Sequence, residues 1–173
     1  NRMDAPKTTE KIAPFLETYG LDAGDFEKAP DEFTSFNDFF YRKINNSKRP
    51  IGEGVVSPAD GKIVTFDTIE ASKEFFIKGS LFNLPSFLAD DELAKQYEGG
   101  AMCIVRLAPV DYHRFHFPVS GTPGQTRLIN GPLFSVSPIA LGRNLSYLWQ
   151  NKRTITRIET ENLGSVLMME IGA

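Results

Sequence analysis

Residues 153–171 read RTITRIETENLGSVLMMEI: two runs rich in β-branched and apolar side chains, 153–159 and 165–171, divided by a polar turn containing Asn162 and Gly164. Runs of this length and composition, bounded by turn residues, are strands. Working outward, the same criteria predict strands at 62–67, 74–78, 101–107, 115–120, 124–129 and 133–137. Between them, PSFLADDELAKQY at 85–97 sets Leu88, Leu93 and Tyr97 among acids and predicts a short helical excursion. Many short strands with frequent turns predict a mainly β, α+β chain built on an antiparallel β-sandwich or partly closed barrel.

The N-terminal part reads differently. Ile12, Phe15, Leu16 and Tyr19 fall at helical spacing, Pro14 stands near the start of that run, and Gly20 follows it as a stop signal. Ser35 followed by Asp38 forms a capping box with Asp in place of Glu, ahead of Phe36, Phe39 and Phe40, and predicts a second helix over 35–44. Loop composition then runs from Asn45 to Gly54. The expected organisation is an N-terminal helical segment over 1–50 and a β-rich body over 51–173.

The chain has 173 residues, with 19 Lys and Arg against 22 Asp and Glu, 41% hydrophobic and 24% charged residues. That balance fits a globular fold and argues against disorder or a coiled coil. The net charge of −3 and the absence of a basic cluster exclude a nucleic-acid partner as the expectation. Cys103 is the single cysteine, so no internal disulfide forms, and its apolar neighbours predict a packed thiol. No apolar run approaches the roughly 18 residues that a bilayer requires.

Both histidines of the chain, His113 and His116, lie in VDYHRFHFP at 110–118. Imidazole exchanges protons near neutrality, so this concentration points to proton transfer or metal ligation, with hydrogen-bonded packing as the structural alternative. Pro109 and Asp111 favour a helical turn through His113, after which 115–118 looks extended, so both rings can face one site. Zinc needs three or four ligands, and one thiol leaves a carboxylate to complete the set, so no metal site is expected. A second motif, SPADGK at 57–62, is a Pro/Gly-framed β-turn that places Asp60 just before a strand. There Asp60 can orient and charge-stabilise an imidazole.

SPADG at 57–61, FFIKG at 75–79, APVDYHRFHFPVSG at 108–121, GPLFSVSPIAL at 131–141 and VLMMEIGA at 166–173 together resemble the phosphatidylserine decarboxylase family. SFNDFFYRKI at 35–44, followed by Arg49 and Pro50, resembles the segment preceding the catalytic body there, so the ordered match covers nearly all of 33–173. The resemblance implies a self-processing, pyruvoyl-dependent lyase that converts phosphatidylserine to phosphatidylethanolamine and carbon dioxide. In that family a serine in Leu-Gly-Ser attacks the preceding carbonyl, and the cut releases a β chain and leaves a pyruvoyl group on the α chain. A Schiff base to that carbonyl accepts the electrons of the departing carboxylate. By motif, Asp60 matches the acid of the processing triad and His113 and His116 the family's His-x-x-His; which imidazole serves processing and which decarboxylation stays open.

Leu163-Gly164-Ser165 occupies the turn into a strand where the family has an ordinary strand entry, so Ser165 is expected not to be the processing serine. The resemblance therefore implies a β-chain portion whose pyruvoyl serine lies beyond Ala173, inactive alone, with the α chain as partner and a homodimer as its assembly. It also implies peripheral attachment to a bacterial or organellar membrane, where phosphatidylserine lies in an anionic surface. Phe36, Phe39, Phe40 and Tyr41 with Arg42, Lys43, Lys48 and Arg49 suit such an interface, and Phe75, Phe76, Leu81, Phe82, Leu84 and Phe87 an acyl-chain entrance; core packing is the alternative for each. Two other functions fit the same residues: a non-catalytic phospholipid-binding module, and a metal-dependent hydrolase using His113 and His116.

Overall fold

In a computed structural model, residues 2–69, 75–77, 80–144 and 146–172 are described, with the backbone alone at 75–77, 80–82 and 148. Tertiary contacts divide the chain into one unit of Asn1–Ile63 with Val105–Pro118, and another of Val64–Ile104 with Val119–Ala173. The grouping follows contact rather than the change of sequence period near residue 50, because 105–118 belong with the N-terminal helices.

In the first unit a 3-10 stretch, Pro6–Lys11, runs into α1 (Ile12–Tyr19), which ends at Gly20 with φ 61°. That left-handed value suits glycine and stops the helix where the sequence places the stop. The second helix, α2 (Phe36–Phe40), is shorter than its predicted span. Its Ser35 Oγ accepts from the Asp38 amide at 3.1 Å, while the Asp38 carboxylate accepts from the Thr34 amide at 3.0 Å, one residue short of the reciprocal capping-box bond. Ile12, Phe26, Phe33, Phe39 and Ile44 form the buried core, with Phe15, Leu16, Phe36 and Tyr112 packed against it.

The second unit is organised on β7 (Arg153–Glu159) and β8 (Ser165–Ile171), which pair antiparallel from Arg153↔Ile171 to Glu159↔Ser165. On its other edge β7 pairs with β5 (Thr122–Pro123) and β6 (Arg127–Ile129). The register shifts by one residue between Pro123↔Ile158 and Arg127↔Ile155, so the strand expected over 124–129 is broken by a bulge. Two helices, α3 (Leu84–Leu88) and α4 (Asp91–Gln96), make up the expected excursion, and Leu84, Leu88 and Ala94 pack with Ile69 and Ile155. Two further helices, α5 (Pro138–Arg143) and α6 (Tyr147–Gln150), were not expected from the sequence. The remaining strands are β1 (Lys62–Phe66) paired with β4 (Met102–Arg106), and β2 (Phe75–Ile77) paired antiparallel with β3 (Ser80–Phe82). The α+β class holds, and among the described residues the sheets stay separate and do not close into a barrel.

Two predicted strands are absent for identifiable reasons. Over 115–120, Val56 N donates to Pro118 O at 2.9 Å and His116 N to Pro58 O at 3.0 Å. The two reciprocal bonds of an antiparallel ladder would need amide hydrogens on Pro118 and Pro58, which proline lacks. Over 133–137, the buried Asn151 amide takes the place of a partner strand: its Oδ1 accepts from Phe134 N at 2.9 Å and its Nδ2 donates to Phe134 O at 2.7 Å. Cys103 lies exposed on β4, against the expectation of a packed thiol.

The core-or-interface alternatives resolve for some of these residues. Phe39 is fully buried, Phe36 packs on the core, and Arg42 is 2% exposed, so these residues are core. Leu84 and Phe87 belong to the second unit's core, whereas the side chains of Phe75, Phe76, Leu81 and Phe82 lie outside the described residues. Among the described residues no helix is long and apolar enough to cross a membrane.

Candidate active site

Asp60 sits in the expected turn before β1, where Ser57 Oγ donates to Ala59 O at 2.8 Å. Gly61 closes that turn with φ 140°, and a Cβ there would lie 2.6 Å from the Arg106 carbonyl oxygen. Both the backbone angle and the close approach require glycine. The Asp60 carboxylate is gripped by Arg49: Nε donates to both oxygens at 3.1 Å and Nη2 to Oδ2 at 2.9 Å. Hydrogen bonding to Asp60 holds the Arg49 guanidinium above its ordinary pKa. Among the described residues neither imidazole bonds to Asp60, so the orienting partner expected for it is a guanidinium here.

The pair is partly exposed, with side-chain exposures of 45% for Arg49 and 28% for Asp60. A double-mutant cycle of Arg49→Ala with Asp60→Asn is therefore expected to give a coupling of about 1 kcal/mol, smaller at high salt. Urea denaturation of the four proteins measures it, and a vanishing coupling would show that Arg49 does not hold the carboxylate in solution.

The histidine loop is held by side chains to which the sequence reading gave other roles. Asp111 N donates to Ala108 O at 2.9 Å and the Asp111 carboxylate accepts from Ala108 N at 2.6 Å. The turn thus closes before His113, and the helical turn expected through that residue does not form. Arg42, buried between the rings of Phe26 and Phe39 at 5.0 and 4.9 Å, donates from Nη2 to Val110 O at 3.1 Å. Burial and the neighbouring Arg49 lower its pKa. Arg42 lies two residues past the end of α2, so no helical spacing in the sequence marks it. Arg114 Nε donates to Tyr41 O at 2.9 Å, tying the loop again to the end of α2.

The two imidazoles are held differently. His113 Nδ1 lies 2.8 Å from Asp111 O, and because a carbonyl only accepts, Nδ1 carries the hydrogen and Nε2 is left for chemistry. The Phe40 ring packs on it with centroids 4.0 Å apart. His116 is fixed through its backbone to Pro58, two residues before Asp60, and among the described residues its ring makes no hydrogen bond. Both rings line a cleft of about 740 Å³ together with Arg49, Arg114 and Lys43. The structure thus brings His113, His116 and the Asp60-bound Arg49 to one place. The arrangement can exchange protons at an imidazole nitrogen and hold an anion.

Among the described residues no three His, Cys, Asp or Glu side chains are grouped to hold a metal ion. Ser165 opens β8 opposite Glu159, and its Oγ is 2.5 Å from Tyr97 Oη. Gly164, with φ 70°, offers its carbonyl to Thr160 N at 3.0 Å and Thr160 Oγ1 at 2.7 Å, as in an ordinary hairpin turn.

The sequence model of the family described as phosphatidylserine decarboxylase matches residues 36–173. The chain is 43% identical to the phosphatidylserine decarboxylase proenzyme of Fusobacterium nucleatum, over 99% of this chain and 58% of that protein. It is 49% identical to the proenzyme of Chlamydia muridarum and 43% identical to that of Chlamydia pneumoniae, in each case over 96% of this chain and 56% of the relative. The chain thus spans a little over half the length of these relatives. Since the matched region takes in Asp60, Arg49 and both histidines of the cleft, the chain belongs to the phosphatidylserine decarboxylase family.

Proposed function

We propose that this chain is the β portion of a self-processing phosphatidylserine decarboxylase that releases phosphatidylethanolamine and carbon dioxide at a membrane surface. The observation that carries the reading is the cleft in which a tautomerically fixed His113 and the turn-anchored His116 meet the guanidinium that grips Asp60. A pyruvoyl group on the α chain, made from a serine in the part of the proenzyme that this chain does not span, supplies the electron sink for loss of carbon dioxide. The donor set fits such a group, since the reaction asks the protein for a positioned proton carrier and for cations, and the cleft supplies both.

In this reading His113 is the proton carrier of decarboxylation. Its Nδ1–H is committed to Asp111 O and its ring is pressed by Phe40, so Nε2 is the atom that takes up a proton from water and, as the imidazolium, delivers it to the substrate carbon, returning to the neutral ring. His116 serves processing, supported by its backbone bond to the turn that carries Asp60. Arg49 holds the Asp60 carboxylate until an imidazole competes for it. The α chain completes the site, the assembled enzyme is a homodimer, and attachment to the membrane is peripheral.

Expressing the whole proenzyme tests the reading. Intact-mass measurement should find two chains, the shorter beginning with a blocked, pyruvoyl-type residue, and lipid extracts should show phosphatidylserine consumed. A single uncleaved chain without lipid turnover would reject it. Ser165→Ala should leave the cleavage rate unchanged within twofold, because Ser165 sits in the β7–β8 hairpin with its hydroxyl hydrogen-bonded to Tyr97. Loss of cleavage in that variant, or a cut after Gly164, would make Ser165 the processing serine.

A further inference from the structure

We propose that Arg114 anchors the phosphodiester of a glycerophospholipid headgroup through its open Nη1/Nη2 fork. The inference deepens the reading above and rests on it for choosing a phospholipid over other phosphate esters. The guanidinium is fixed at one end, where Nε donates to Tyr41 O at 2.9 Å, and it lies 6.0 Å from the centre of the Tyr41 ring. Among the described residues its two terminal nitrogens have no hydrogen-bond partner and no carboxylate lies within ion-pair distance. A guanidinium held by Nε with its fork free is preorganised for two parallel bonds to phosphate oxygens.

The other cations of this unit's cleft region are committed. Arg42 is buried and directed at backbone carbonyls, and Arg49 is matched by Asp60. Lys43 stands 3.8 Å from Glu27. Of the lysine and arginine side chains that line the cleft, Lys43 faces Glu27 and Arg49 is held by Asp60, which leaves Arg114 as the one without a carboxylate partner among the described residues.

Apolar side chains select a lipid. Tyr41, Ile51 and Phe115 line the same cleft and are 45%, 63% and 52% exposed, and such a rim suits the glycerol and acyl portions. Arg114 also follows His113 directly in the chain, and both line the cleft. In a phosphoserine diester the α-carbon is joined to phosphorus through one oxygen and one carbon. A phosphate seated on Arg114 therefore keeps that carbon within the cleft that His113 lines.

Calorimetric titration of the whole proenzyme with soluble probes tests this, with binding and not turnover as the readout. Glycerophosphoserine and glycerophosphoethanolamine should both bind, and Arg114→Ala should weaken both by the same factor, about tenfold or more. Arg114→Lys, which keeps the charge and loses the fork, should recover part of the affinity, and L-serine binding should not change. Melting curves identify a variant that fails to fold, in which case Arg114→Lys and Arg114→Gln carry the comparison.

A loss confined to the serine compound would mean that Arg114 takes the carboxylate, and unchanged affinities would remove it from the site; either overturns the proposal. Inorganic phosphate binding as tightly, with the same dependence on Arg114, would make this a free-phosphate site and overturn it as well. Failure here is distinguishable from failure of the decarboxylase reading. A whole enzyme that turns over lipid while the probes ignore Arg114 loses only the anchor. One that binds the probes through Arg114 and never decarboxylates loses only the activity.

Discussion

Replacing His113 with alanine in the processed whole enzyme is expected to lower kcat by about 10²–10⁴-fold, the usual contribution of a positioned general acid or base. KM should change little, since the proton is moved in the transition state rather than used for holding substrate. The proenzyme should still cut itself, whereas His116→Ala should leave it uncleaved. The asymmetry comes from the two attachments: His113 is oriented through Asp111 O and Phe40, and His116 is tied to the Asp60 turn. Mass analysis for cleavage and product release for turnover read the two steps separately. An uncleaved His113→Ala with a cleaved His116→Ala would exchange the roles, and full activity in both would remove the cleft from the chemistry.

The second large effect is on stability. Phe39 is completely buried, and its ring meets those of Phe15, Phe26, Phe33 and Phe36 at centroid distances of 5.7, 6.0, 5.5 and 5.7 Å. The Arg42 guanidinium also sits on it at 4.9 Å. Phe39→Ala is expected to cost about 3–5 kcal/mol from transfer and cavity terms, with aromatic pairing adding to it. Because Arg42 positions Val110, loosening this core should also disorder the histidine loop. Urea midpoints and the ring-proton signals of His113 measure both effects. A loss confined to membrane binding, with the midpoint unchanged, would return Phe39 to the interface reading that its burial excludes. Tyr41→Ala, at an exposed position, serves as the comparison and should alter stability by less than about 1 kcal/mol.

Much of this protein is legible from local chemistry. The hairpin of β7 and β8, the stop at Gly20, the Ser35 cap and the Asp60 turn each depend on residues close in the chain, so period and turn type suffice to find them. The ordered motifs likewise carry the family, and Asp60, His113 and His116 stand out by residue type and spacing alone. Missing from that reading were the contacts that give these residues their state. Arg49 on Asp60, Asp111 O on His113 and Arg42 beneath Val110 join groups whose pairing depends on how loops return to one another.

The failed strands have the same cause at smaller scale. Residues 115–120 have strand composition, but the segment that returns beside them offers Pro58, and the donors of a regular ladder are absent on both sides. Sequence by itself determined which side chains have the chemistry and which turns can form, because these are properties of single residues and near neighbours. Tertiary structure decided which charge meets which carboxylate, which nitrogen of His113 is free, and that Phe39 is buried. Those outcomes depend on desolvation and on distances that only the folded chain sets.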